Sequence, residues 1–328
     1  MVNDHPFRVT YFRFYRLFHE LSALRYNLWA KIKSPDSIST RRGKVPSCRN
    51  IIINMQTSFL RKHIFLPQDH GSWVFIFSPL LVGLFAGGTF TSASLSLVLA
   101  AIAAFLIRQP VTVAVKAYSG RRGKSDLPVA YFWIVVYGII ILVALIGLML
   151  AGFSYLLFLA VPGAPVFAWH LWLVSRREER RQANVEIIAT GVLSLAAPAA
   201  YWTGIGRYDP AGWWLWILVW LQTAASIVYA YLRLEQREWN SIPNRWLRFR
   251  SGWRAYSYTS FNLFIVIILG FGVEFLSRLI FVPYLIQWLE AIWGIEHPAI
   301  GWKPTRIGIR QLIVSTLWTV LFILFWKP

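Results

Sequence analysis

The chain has 328 residues, of which 57% are hydrophobic and only 14% charged. Soluble domains average about 45–50% apolar and about 25% charged residues, so this sequence lacks the charge to coat a water-facing surface and reads as a membrane protein. Its single cysteine, Cys48, excludes an internal disulfide, and no Cys/His cluster offers a zinc or haem-attachment site. The net charge of +19 does not point to nucleic acid, because the basic residues sit in short clusters between apolar runs rather than on one water-exposed face.

In chain order, residues 1–54 come first as a separate basic, aromatic extension, followed by a transmembrane bundle over 55–328. The aromatic and arginine-rich stretch around Tyr11–Arg16 suits a helix lying on an anionic membrane surface, and Ser34–Lys44 is loop chemistry. No apolar h-region of a signal peptide precedes the basic residues, and Met55 is an alternative start. A spanning helix needs about 20 predominantly apolar residues. Such runs fall at about 72–89, 92–112, 128–150, 153–174, 185–204, 212–232, 257–278, 280–295 and 307–326. The run at 280–295 is short and holds Pro283, Gln287 and Glu290, which leaves a re-entrant piece as the alternative to a span.

Charge distribution favours nine crossings. With residues 1–65 in the cytoplasm, thirty of the 33 Lys and Arg fall on that side, and only Arg207, Arg278 and Lys327 on the other. The predicted fold class is therefore all-α: a polytopic membrane bundle of about nine helices with a cytoplasmic amino terminus. Short glycine turns near 87–89, 151–153 and 204–206 join antiparallel neighbours on the outer side. Trp202, Trp213, Trp214 and Trp216 suit an aromatic belt there.

Polar side chains within apolar runs are costly and mark cavities or partners. Asp69 and His70 open the first span in Pro67-Gln68-Asp69-His70-Gly71-Ser72-Trp73. Arg108, Gln109 and Lys116 lie at the inner end of the second span, and His170 near the inner end of the fourth. Glu186, Thr190 and Ser194 recur every fourth residue on the fifth. Gln222, Ser226, Tyr229 and Arg233 follow at +4, +3 and +4 on the sixth. These spacings place each set on one helical face. One reading is a shared cavity open to the cytoplasm; the other is hydrogen-bonded glue between helices. In the cavity reading His70, beside Asp69, is the candidate acid/base. Arg108, Gln109, Lys116, His170, Gln222 and Arg233 bind the ligand, with Glu186 as their counter-charge. No P-loop, dinucleotide fingerprint or nucleophile triad is present, and no metal site is expected.

The stretch Pro67–Trp73, the following Pro79, and Ile107-Arg108-Gln109-Pro110 leading to Lys116 and Arg121-Arg122-Gly123 resemble the YwiC-like family of bacterial integral membrane proteins over about residues 64–240. That resemblance implies a multi-pass protein of the bacterial cytoplasmic membrane. In architecture the nine spans, with polar inner loops after the second and sixth, are also similar to the UbiA superfamily of intramembrane prenyltransferases. There, aspartate-rich loops hold magnesium and an isoprenyl diphosphate. This chain departs at both places, carrying Arg108, Gln109, Lys116, Arg121, Arg122 and Lys124 with only Asp126 acidic after the second span, and Arg233, Glu235, Arg237, Glu238 and Arg245 with no Asp-x-x-x-Asp after the sixth. Magnesium requires oxygen ligands, whereas Lys and Arg grip an anion directly. The expectation is a cavity for an isoprenoid, quinone or other lipid with an anionic head, with metal-independent transfer as its enzymatic version. A non-catalytic subunit or assembly factor of a membrane complex and a small-solute transporter are the alternatives. Membrane lipids are the expected partners, and no cofactor is identified.

Overall fold

The computed structural model describes residues 62–67, 70–178, 182–272 and 276–326. The chain divides into two units, Met1–Met55 and Gln56–Pro328, and every described residue belongs to the second. The extension over 1–54 with its expected interfacial helix, and Asp69, lie outside the described residues.

Among the described residues the secondary structure is helical throughout. Lipid offers backbone amides no hydrogen bonds, and a helix satisfies them within one segment. The nine rods are α1 (Val74–Gly87), α2 (Ser92–Tyr118), α3 (Leu127–Leu150), α4 (Gly163–Arg176), α5a (Ala183–Ser194) with α5b (Ala196–Ile205), α6 (Ala211–Gln236), α7 (Arg245–Ile267), α8 (Phe281–Glu296) and α9 (Pro304–Phe325). Counted with the short helical turns that lead into them, eight of the rods, α2 to α9, are long and apolar enough to cross a bilayer, α4 then running over Ser154–Arg176 and α8 over Arg278–Glu296. The ninth, α1, has only 14 residues but continues a 3-10 turn over His70–Trp73. Together they reach about 29 Å, close to the ~30 Å of a hydrocarbon core. The 280–295 stretch is one of the eight, as the Arg278–Glu296 rod.

Local chemistry sets the ends. Gly88, at φ +75°, closes α1 in the left-handed region that glycine enters freely. Thr91 and Ser94 then form a reciprocal capping box that starts α2. The α5 rod breaks at Leu195 because Pro198 has no N–H for the Ser194 carbonyl and its ring crowds that oxygen. The indole of Trp216 donates to the Gly191 carbonyl at 2.8 Å and that of Trp220 to the Ile187 carbonyl at 2.9 Å, tying α6 to α5a. Hydropathy places the seventh span at 257–278, yet its helix starts at Arg245, capped by Asn244. The Arg- and Trp-rich first turns are helical without being apolar.

The central rods are α1, α5b and α6. Gly83 and Gly87 of α1 meet Ala197, Ala200 and Gly204 of α5b with almost no side chain between them; a Cβ on Gly204 would lie 2.8 Å from the Gly87 Cα. Small residues spaced by four allow such backbone contact in membranes. Trp202, expected in the outer aromatic belt, is instead buried: its ring packs on Gly212, and its indole donates to the Asp209 carbonyl at 2.6 Å.

Candidate functional site

Alanines and glycines recur where α2, α4 and α5 face one another, among them Ala100, Ala104, Gly163, Ala164, Ala189 and Ala196, and they leave space between the rods. The result is a cavity of about 450 Å³ bounded by α1 to α5, with walls of Leu, Ile, Phe and Ala side chains. Ile76, Leu97, Leu145, Phe167 and Leu193 represent the five rods in its lining. Only two of the residues lining it are ionisable, Arg108 of α2 and His170 of α4. Arg108 stands over the Phe105 ring, 5.2 Å from its centroid. Both side chains are half-buried and both have partners. An apolar chamber whose ionisable lining residues are both basic is suited to a molecule with an apolar tail and an acidic head.

The remaining residues singled out from the sequence go elsewhere. Gln109 donates to the His63 carbonyl at 3.0 Å and ties α2 to the segment before α1. Lys116 lies about 12 Å farther along α2 than Arg108. Its carbonyl accepts bonds from Ser119 and from the Arg121 amide, which close the helix end. Glu186 is exposed and accepts a 2.8 Å bond from Tyr231. Tyr231 lines a second, more polar cavity of about 590 Å³ between α5a, α6 and α7, together with Asn184, Glu235, Glu238 and Arg254. His70 opens the 3-10 turn before α1; its side chain is outside what is described. The structure thus brings Arg108 and His170 to one cavity and distributes Glu186, Gln222 and Arg233 among other contacts.

The α6 stripe forms a seam with α8 and α9. The Gln287 amide donates to the Gln222 carbonyl at 3.0 Å, and Ser226 bonds Gln311 at 3.1 Å. Tyr229 donates to Glu290 at 2.8 Å, and Arg310 grips the same carboxylate with two bonds of 2.6 and 2.7 Å. Farther along α9, Thr319 shares a 2.7 Å bond with Ser78 of α1. Arg233 is 1% exposed. Its Nη1 donates to the Gln236 side chain and to the Gly294 and His297 carbonyls at 2.7–2.8 Å. The rings of Trp302, Trp293 and Tyr229 surround the guanidinium at 5.0, 5.5 and 5.9 Å. Nη2 has no hydrogen-bond acceptor, and the π faces around the guanidinium attract its charge. Sequence reasoning missed the Glu290–Arg310 pair, although an acid inside one span calls for a base inside another. Among the described residues no group of three or more His, Cys, Asp or Glu could hold a metal ion.

These features define a multi-spanning, all-helical membrane protein. Comparison with known proteins places the segment around its α1–α5 cavity more closely. The family model described as "YwiC-like protein" matches residues 66–201. Over 264 residues the chain is 24% identical to "Uncharacterized protein YwiC" of Bacillus subtilis (strain 168), covering 79% of this chain and 97% of that one. No solved structure matches. The chain is similar to the YwiC-like family, as its two motifs imply, and every residue lining the α1–α5 cavity falls inside the matched segment.

Proposed function

We propose that this protein holds a single-tailed anionic amphipath, such as an isoprenoid or acyl lipid, in the α1–α5 cavity of a bacterial cytoplasmic membrane. The observation that carries this reading is the apolar chamber edged by Arg108 and His170. An apolar cavity of roughly 150 Å³ takes up benzene, so about 25 Å³ serves each carbon, and 450 Å³ matches a tail of roughly 18 carbons. Arg108 supplies a fixed positive charge for the acidic head and His170 a second donor. Metal-independent prenyl transfer is the enzymatic form of this function.

The test uses purified protein with radiolabelled C15 and C20 prenyl diphosphates, a C18 fatty acid and the matching uncharged C18 alcohol. Saturable binding of the charged probes is expected, weakened at least about tenfold in an Arg108→Gln/His170→Gln variant, the scale of one lost charge-assisted bond. A bulky Ala104→Trp change in the wall should block the tail of all probes alike. Equal affinity for acid and alcohol would remove the anionic-head assignment, and no binding at all would remove the cavity function. Binding without transfer to membrane acceptors would remove only the enzymatic form.

A further inference from the structure

The seventh rod is longer than a membrane requires. Arg245–Gly272 has 28 residues, about 42 Å at 1.5 Å per residue against a core of about 30 Å. The surplus lies at its start, where Arg245, Arg248, Arg250 and Arg254 alternate with Trp246, Phe249 and Trp253. Trp246 is 69% and Trp253 54% exposed. Phe249, Trp253 and Tyr256 form a ladder of rings with centroids 5.5–6.0 Å apart. Arg248 and Arg245 approach Glu296 at 3.3 and 3.7 Å. Arg250 and Arg254 are exposed and have no ion pair among the described residues.

We propose that these first turns of α7 form a docking surface for the head groups of anionic phospholipids. Exposed guanidinium groups beside exposed indoles match the layer where acidic phosphates meet the hydrocarbon edge, since Trp settles at head-group depth and each basic residue gains from negative lipid. Charge selects this occupant over a second copy, since a chain of net charge +19 would be repelled by its like.

The full-length protein bearing Arg108→Gln/His170→Gln, so that the α1–α5 cavity does not contribute, is titrated in mild detergent with phosphatidylglycerol or phosphatidylcholine of identical chains. Retained lipid is read by native mass spectrometry. Preferential retention of phosphatidylglycerol is expected. Arg250→Gln and Arg254→Gln should each reduce that preference about fivefold, leaving phosphatidylcholine retention and the unfolding temperature unchanged. Equal retention of the two lipids, or a preference that survives both substitutions, would overturn the proposal. A dimer that the same substitutions dissociate would do so too, by assigning the face to a second copy.

Discussion

A methyl group added at Gly83 would collide with the carbonyl oxygen of Ala197, and backbone cannot step aside as a side chain can. Gly83→Ala should therefore lower stability by about 1–3 kcal/mol, the usual cost of overpacking. Gly138→Ala, at a site with nothing within 4 Å of the new carbon, should not. Thermal unfolding of the two variants in one detergent checks the contrast. Arg233 gives a second residue-level expectation. Lysine there keeps the charge but is shorter and loses the planar guanidinium that sets Nη1 among its three acceptors and lies between the Trp302, Trp293 and Tyr229 rings, so Arg233→Lys should cost about 1–3 kcal/mol through unsatisfied carbonyls. Unfolding midpoints of that variant against the parent decide it, and an unchanged midpoint would dismiss the locking role. The four-residue spacing of Gln222, Ser226 and Arg233 was enough to read a shared face from the sequence. It held nothing about what that face meets, because α8 and α9 arrive from 60 to 90 residues downstream.

At the scale of elements, hydropathy located all nine rods, and where it erred was at their ends. It stopped α2 at 112, although the helix continues to Tyr118, and it missed the first three turns of α7. An apolar window registers what touches lipid; helix continues wherever hydrogen bonding and capping permit, including through arginine-rich turns. Among inter-rod contacts, the bond of Glu290 to Arg310 joins two half-buried charges, with the Arg310 guanidinium 3.6 Å from the Trp293 ring. Removing one partner strands the other charge. Glu290→Gln should thus cost about 1–3 kcal/mol, and Arg310→Met added to it should recover part of the loss. A double-mutant cycle on unfolding free energies measures this, and strictly additive effects would refute the coupling of α8 to α9.

For the molecule as a whole, the nine rods among the described residues, taken as crossings, and the uneven spread of Lys and Arg make a single prediction about sidedness. An alkaline phosphatase fused after Trp326 should be active, and a fluorescent protein at the same point dark, with the pattern reversed for fusions in the loop after α6. The apolar chamber was not legible from the sequence in this form. Polar stripes suggested a cavity, but its walls are alanine and leucine, residues that look the same whether they fill space or leave it. The tight seam of α1 on α5b bears on how that chamber is reached. Two backbones in direct contact at Gly83, Gly87 and Gly204 make a rigid rear panel. By contrast, α4 is buried only at Leu173 and Val174, near the end where Arg121 holds the Val174 carbonyl. Of the chamber's four long rods α4 is thus the least enclosed, so the ligand proposed above would meet the fewest packed side chains on that flank.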